Sequence, residues 1–227
     1  MLPFVPRNDT FMSSVDDHGA DALLSAGLYR RYPAGDTLFH QGDPSRHVIV
    51  IRDGWVKITA VTRRGWEALL AVRGAGDIVG EASAIDAELR SATVRTLTNV
   101  EATVIPSEAF LETLRTNPLL TTQLLSYING RLRESDQRRS QFGSMSGNER
   151  LISLLDELTE QYGQFSREGI VIGIPLSQRE LAAAVGVSRQ VAAQTLRTLR
   201  ERGIIRTRRQ RIVIVERDLL TALSGSV

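Results

Sequence analysis

The pattern of apolar and polar positions changes character along this 227-residue chain. Between Tyr29 and about Val104, apolar residues come in short β-rich runs punctuated by Gly35, Gly42, Gly54, Gly65, Gly74, Gly76 and Gly80. Thr37-Leu38-Phe39, Val48 to Ile51, Trp55 to Ile58, Ala68 to Val72 and Ala92 to Arg95 have the length and spacing of strands in a barrel or jelly roll. They predict an antiparallel β-roll of about eight strands. A short helix from Asp16 to Ala26 precedes the roll, behind a polar, proline-containing start.

Beyond the roll the period becomes helical. Asn117 caps a helix that has Pro118 at its first position, where a missing N–H costs nothing, and the pattern carries it to Phe142. Leu125, Ile128, Leu132, Ser135, Arg139 and Phe142 recur in steps of three and four, the spacing of a coiled-coil seam. The seam predicts a two-fold dimer; the alternative is a helix packed only on its own domain. Arg139 interrupts it, and either splays outward or pairs with Asp136 or Glu134. Gly143 to Gly147 suits a hinge, and Ser146 with Glu149 forms a capping box that starts the next helix. Leu151, Leu154, Leu155 and Leu158 give that helix its apolar face. Glu168-Gly169 then turns a hairpin whose second strand holds Ile170 to Ile174.

The stretch from Ser177 to Arg211 organises the rest. Ser177 and Glu180 form another capping box, Leu181, Ala182 and Val185 make a short apolar face, and Gly186 supplies the positive φ of a tight turn. Ser188 caps the following helix. There Val191, Thr195, Leu196 and Leu199 face inward, leaving Arg189, Gln190, Ala193, Gln194 and Arg197 outward. Gly203 ends that helix. Ile204-Ile205 and Arg211 to Val215 read as two strands joined by Arg206 to Arg211. The pattern is a helix-turn-helix with a basic wing; the plain alternative is a helical hairpin with a solvated charged face.

Charge separates the two. Arg189 to Arg211 holds eight arginines and one glutamate, a net of +7 in a chain of formal net charge +2, which leaves −5 elsewhere. Basic charge concentrated on one element supplies the sequence-independent phosphate affinity of a DNA-binding surface. Composition excludes other classes. With no cysteine there is no disulfide, thiol switch or cysteine-ligated cluster. His18, His40 and His47 lack metal-ligand spacing. No nucleophile, metal set or paired-carboxylate signature points to an enzyme. No apolar run reaches membrane-spanning length, and the MLPFVPRNDT start lacks a signal-peptide pattern, so the cytoplasm is expected and a membrane is not.

Ala34-Gly35, Leu38, Gly42-Asp43, Val48-Ile49-Val50, Gly54-Trp55-Val56, Gly76-Asp77, Gly80-Glu81 and Arg90-Ser91-Ala92 together resemble the cyclic-nucleotide-binding roll of the cyclic AMP receptor protein and fumarate-nitrate regulator (CRP/FNR) family. With the winged helix-turn-helix behind it, the likeness covers nearly the whole chain. It implies an α+β architecture: a jelly-roll-like β-roll sensor over 1–116, a dimerisation helix and hinge over 117–145, and a DNA-binding domain over 146–227. It also implies a cyclic nucleotide effector rather than a covalent cofactor, and as partners double-stranded DNA, a second copy and RNA polymerase.

The family's ligand positions carry over to Gly80, Glu81, Ala82, Arg90 and Ser91. Their chemistry suits a cyclic phosphate on a ribose. An arginine pairs with the anionic oxygens, a hydroxyl sits beside it, a carboxylate accepts from the 2′-OH, and a glycine lets backbone N–H groups approach. Arg90 is expected on the roll surface, and the bland alternative pairs it with Glu81 or Glu88. Where the family places a Thr-Ser or Thr-Asn pair on the long helix, this chain has Ser135-Asp136. A carboxylate accepts from the adenine amino group or from two guanine N–H groups, so cyclic AMP leads and cyclic GMP stays open. On the DNA side the implied set is Ser177, Arg179, Ser188, Arg189, Gln190, Gln194, Arg197 and, in the wing, Arg208. Arg189 matches the family's guanine-reading arginine. Gln190 and Gln194 stand where well-known members carry Glu and Arg, so the expected palindrome keeps a guanine and differs otherwise. The competing function is a ligand-independent DNA-binding protein whose roll only dimerises.

Overall fold

The computed structural model describes residues 10–63, 65–208 and 211–225, with no side-chain description for Gln141. Eight strands form the N-terminal roll: β1 (Leu28–Tyr32), β2 (Thr37–Phe39), β3 (Val48–Asp53), β4 (Val56–Val61), β5 (Glu67–Arg73), β6 (Ile78–Val79), β7 (Thr93–Thr96) and β8 (Val100–Ile105). They pair antiparallel in two four-stranded sheets, ordered β1-β8-β3-β6 and β2-β7-β4-β5. Strand β3 shows why the halves close. Val48, Ile49, Val50 and Ile51 are all buried, and alternate side chains leave opposite faces of a strand. Ile49 and Ile51 enter a cluster between the sheets with Phe39, Val56, Val94 and Ala102. Val48 and Val50 enter a second cluster, roofed by helices.

Those helices are α1 (Asp17–Ser25), α2 (Glu81–Asp86), α3 (Ser107–Thr116) and the start of α4 (Pro118–Ser144). They contribute Leu23, Ala84, Phe110, Leu120 and Leu124 to the second cluster. Burying a side chain of this size stabilises by roughly 1.5–3 kcal/mol. Neither α2 nor α3 was expected from the apolar pattern. Ile128, assigned to the dimer seam, instead packs half-buried on this cluster with Tyr127.

Helix α4 runs two residues past Phe142, so Gly143 is helical and only Met145 and Ser146 separate α4 from α5 (Gly147–Tyr162). The chain divides into two compact units, up to Ser135 and from Asp136, with the division inside α4. In the second unit follow β9 (Gly163–Ser166), β10 (Gly169–Ile172), α6 (Gln178–Val185), α7 (Arg189–Glu201), β11 (Ile205–Arg208), β12 (Arg211–Ile214) and α8 (Arg217–Ser224). The strands form one antiparallel sheet, β11-β12-β10-β9. Strand β10 stops at Ile172, short of the expected Ile174. The first wing strand is longer than expected, with Arg206 and Arg208 in β11, whereas β12 ends at Ile214, one residue short of the expected Val215; Arg208 pairs with Arg211 across the hairpin. The turn itself, Arg209-Gln210, and most of the proline-containing start lie outside the described residues. Buried Asp156 on α5 ties down α8 by accepting from Arg217 Nη1, Thr221 Oγ1 and Ser224 Oγ.

Candidate functional site

The turn between β6 and α2 is built on Gly80, which caps α2 with a left-handed φ of 84°. A Cβ there would lie 2.6 Å from Arg90 Nη1 and 3.0 Å from the His47 carbonyl, so the position requires glycine twice over, for its backbone angle and for space. Arg90 is only 3% exposed, which corrects the expectation of a roll-surface arginine. Its Nη1 donates to the Gly80 carbonyl at 2.9 Å and to Ser83 Oγ, its Nη2 to the His47 carbonyl, and its Nε to Ser45 Oγ at 3.2 Å. Four of the five guanidinium donors are thus engaged within the protein. The guanidinium also lies 3.9 Å from the Phe39 ring centroid. Burial lowers the pKa of Arg90, while Glu81 and Asp43 work in the opposite direction. The physical reason for its burial is the loop before β3, which pairs with the Arg90 backbone: Arg90 N donates to the Asp43 carbonyl and Gly42 N to the Arg90 carbonyl. Burial, then the Arg90 charge, lowers the pKa of neighbouring His47.

Glu81 pairs with neither Arg90 nor any sheet-surface arginine. It is buried and accepts from Arg131 Nη1 of α4 at 2.9 Å. A second bond holds the same helix, from Tyr127 Oη to buried Asp77 Oδ1 at 2.8 Å, and burial pushes the Tyr127 pKa up. The structure therefore brings the Arg90 guanidinium onto the turn that carries Gly80 and Glu81, with Ala82 exposed at the start of α2 and Ser91 exposed beside Arg90. Ser135 and Asp136 are exposed on α4, on either side of the division between units. Arg139 pairs with Asp136, one of the two partners foreseen for it. Arg131 was not singled out from sequence; one more arginine on a long polar helix gives no signal until the fold brings Glu81 to it.

In the second unit both capping boxes form. Ser146 with Glu149 starts α5, and Ser177 with Glu180 starts α6. The backbone N–H of Ser146 holds the Glu149 carboxylate below its ordinary pKa. Gly186 ends α6 with φ 66°, and Ser188 Oγ accepts from Val191 N to start α7. The inner stripe of α7 is Ala192, Thr195, Leu196 and Leu199, all buried. Val191, expected inside, is 37% exposed, because a stripe at 192, 195, 196 and 199 already fills the core-facing arc and leaves 191 at its edge. Thr195 Oγ1 donates to Asn148 Oδ1, which fastens α7 to the first turn of α5. Arg150 fastens the preceding turn, donating to the Val185 carbonyl from Nε and to the Met145 carbonyl from Nη1. Neither Asn148 nor Arg150 was expected in a positioning role.

Arg179, Ser188, Arg189, Gln190, Gln194 and Arg197 are exposed, as is Ser177 at the first cap. Arg197 Nε pairs with Glu201 at 2.7 Å and Arg208 Nη2 with Glu168 at 2.9 Å, whereas Arg189 makes no ion pair with a described residue. One face of the unit therefore carries arginine and amide side chains at helical spacing, beside a wing with further arginines.

Two family models match this layout, a cyclic nucleotide-binding domain over residues 29–117 and a Crp-like helix-turn-helix domain over residues 149–223. The chain belongs to the CRP/FNR family of regulators. It is 28% identical over 204 residues to the cyclic AMP receptor protein of Thermus thermophilus, a match covering 90% of this chain and 91% of that one. It is 28% identical to a CRP-like cAMP-activated global transcriptional regulator of Mycobacterium tuberculosis, over 83% of this chain and 84% of the relative. Among solved structures it resembles the c-di-GMP-responsive global regulator CLP of Xanthomonas campestris. The TM-score is 0.77 at 25% identity, with 88% of this chain and 99% of that one covered. CRP/FNR architecture accounts for the order of parts: β-roll, long helix, helix-turn-helix. The chain is accordingly a CRP-like transcription regulator with a cyclic-nucleotide-binding domain. Among the described residues, no helix is long and apolar enough to cross a membrane.

Proposed function

We propose that the protein is a homodimeric, cytoplasmic regulator whose roll (1–116) takes a cyclic mononucleotide, cyclic AMP ahead of cyclic GMP. The helix and hinge (117–145) would relay occupancy to a domain (146–227) that reads a palindromic operator through α7 and acts through RNA polymerase. The observation that carries this reading is the Glu81–Arg131 pair. A ribose 2′-OH arriving at Glu81 competes with Arg131 for the same carboxylate, so occupancy acts directly on α4. That helix continues unbroken to Ser144, two residues before the cap of α5. Leu125 and Leu132, 56% and 55% exposed on α4, supply an apolar seam for a second copy. A two-fold dimer sets its recognition helices about one DNA turn apart, which is the geometry a palindrome needs.

A second reading is favoured by Arg90. Its donors are engaged by Gly80, Ser83, His47 and Ser45, so a cyclic phosphate must displace partners already in place. In that reading the roll takes a different nucleotide, for which c-di-GMP is a candidate because a relative of similar fold is c-di-GMP responsive, or only dimerises. Calorimetric titration of the full chain with cyclic AMP, cyclic GMP and c-di-GMP separates the two. Micromolar binding of a cyclic mononucleotide supports the first reading, and heat from c-di-GMP alone, or from none of the three, supports the second. Asp136→Ser bears on base choice: loss of the two-acceptor edge shifts preference toward cyclic AMP if Asp136 reads the base.

A further inference from the structure

Among the described residues, two ion pairs on the DNA-binding face share a design that charge counting conceals. Arg197 and Arg208 are both highly exposed, at 65% side-chain exposure each, yet each is matched to a carboxylate of its own chain. Glu201 holds Arg197 one helical turn away on α7, at 2.7 Å. Glu168, from the turn between β9 and β10, reaches Arg208 on β11 at 2.9 Å, across 40 residues of sequence. Glu201 raises the Arg197 pKa through its hydrogen bond and its charge, as a paired carboxylate does. Arg189, the arginine at the start of α7, has no such partner among the described residues.

We infer that Glu168 and Glu201 are internal phosphate surrogates that hold down the sequence-independent DNA affinity of this face. The inference rests on the reading of α7 and the wing as the DNA-binding surface, and concerns how tightly that surface grips any duplex. A carboxylate and a phosphodiester oxygen offer the same guanidinium the same anionic acceptor, so each glutamate occupies the position a backbone phosphate would take. Exposed pairs of this kind are weak enough for DNA to displace. Displacement leaves a carboxylate beside a phosphate, a like-charge contact that lowers affinity for every sequence alike. It also reduces the charge that arginine contributes to counterion release. Arg189 carries no such handicap, so the weight of recognition shifts from phosphate contacts toward the base contact.

The test uses the full chain, saturated with cyclic AMP and also without it, and a scrambled 40-base-pair duplex titrated at several salt concentrations. Glu168→Gln and Glu201→Gln are each expected to raise affinity about two- to fivefold at low salt, and to steepen the plot of log affinity against log salt by up to about 0.9. Glu168→Gln repeated in an Arg208→Ala background, and Glu201→Gln in an Arg197→Ala background, should lose most of that gain. A gain that persists undiminished without the arginine shows bulk charge at work and overturns the pairing. Wild-type binding with no change in either glutamine variant overturns the inference and leaves the DNA-binding reading standing. A wild-type chain that binds no duplex under either condition overturns both.

Discussion

Arg131 Nη1 donates to Glu81 Oε1 at 2.9 Å, which ties the turn after β6 to a helix whose other end reaches the DNA-binding unit's first cap. The Glu81 side chain is 10% exposed and that of Arg131 26%. Removing the cation leaves a carboxylate out of water without its partner, which costs about 1–3 kcal/mol. Arg131→Met should therefore lower the calorimetric melting temperature. It should also bring the DNA affinities measured with and without nucleotide closer together, because occupancy of Glu81 no longer changes anything on α4. Retention of the full wild-type ratio would show that the pair is structural only.

Arg90→Ala should unsettle the roll as well as the ligand site. It strips hydrogen bonds from the Gly80 and His47 carbonyls and a cation from the Phe39 ring, an expected cost of about 2–4 kcal/mol in thermal or urea unfolding. Ser45→Ala is the gentler variant. It removes one internal acceptor from Arg90 Nε and should tighten nucleotide binding about two- to fivefold, read by calorimetry, if that hydroxyl competes with the phosphate. Weaker binding in Ser45→Ala would mean that the loop assists the ligand.

How far the chain could be read in advance followed the range of the interactions. Both capping boxes and the Gly186 turn were legible because cap, partner and φ requirement lie within a few residues of each other. Five of the roll strands, β2, β3, β4, β5 and β7, were legible, β3 because both its faces are buried and its apolar run is continuous, whereas β1, β6 and β8 were not singled out. Helix α2 escaped because six residues carry too little periodicity, and α3 because Phe110 and Leu114 fell in a segment read only as the end of the roll. In the candidate site, residue types and their grouping at Gly80, Glu81 and Arg90 were legible. Their pairing was not. The partners of Arg90 come from positions 7 to 45 residues away, and Arg131 stands 50 residues from Glu81. Val191 was misplaced because at the first turn of a helix the choice between 191 and 192 is made by what packs against them.

In the proposed function α7 reads bases and the wing grips phosphates, so their arginines should fail differently. Arg189→Ala should cost about 1–3 kcal/mol per half-site on a duplex selected by the wild type from a random library, and should relax preference at one guanine. Arg208→Ala should weaken selected and scrambled duplexes alike and make the salt dependence shallower by less than the full unit of an unpaired arginine, because Glu168 already offsets part of its charge. Loss of equal size on both duplexes for Arg189→Ala would remove α7 as the reader.

His47 titrates with a lowered pKa, so the unfolded chain binds more protons than the folded one in the range between the two values. Its contribution to stability is full above the ordinary histidine value of about 6.5 and is lost as pH falls through the lowered folded value. Melting temperature should therefore drop from pH 7.5 to 5.5, and His47→Gln should drop less. Parallel profiles for the two proteins would remove His47 as the cause.

Nucleotide-gated DNA binding is tested most directly by fluorescence anisotropy of the selected duplex titrated with the full chain, with and without saturating cyclic AMP. The expected result is at least about a tenfold gain in affinity, a coupling of some 1.4 kcal/mol between the roll and α7. Superimposable curves with cyclic AMP, with cyclic GMP and with neither would contradict the account, and would leave a DNA-binding protein whose roll does not gate.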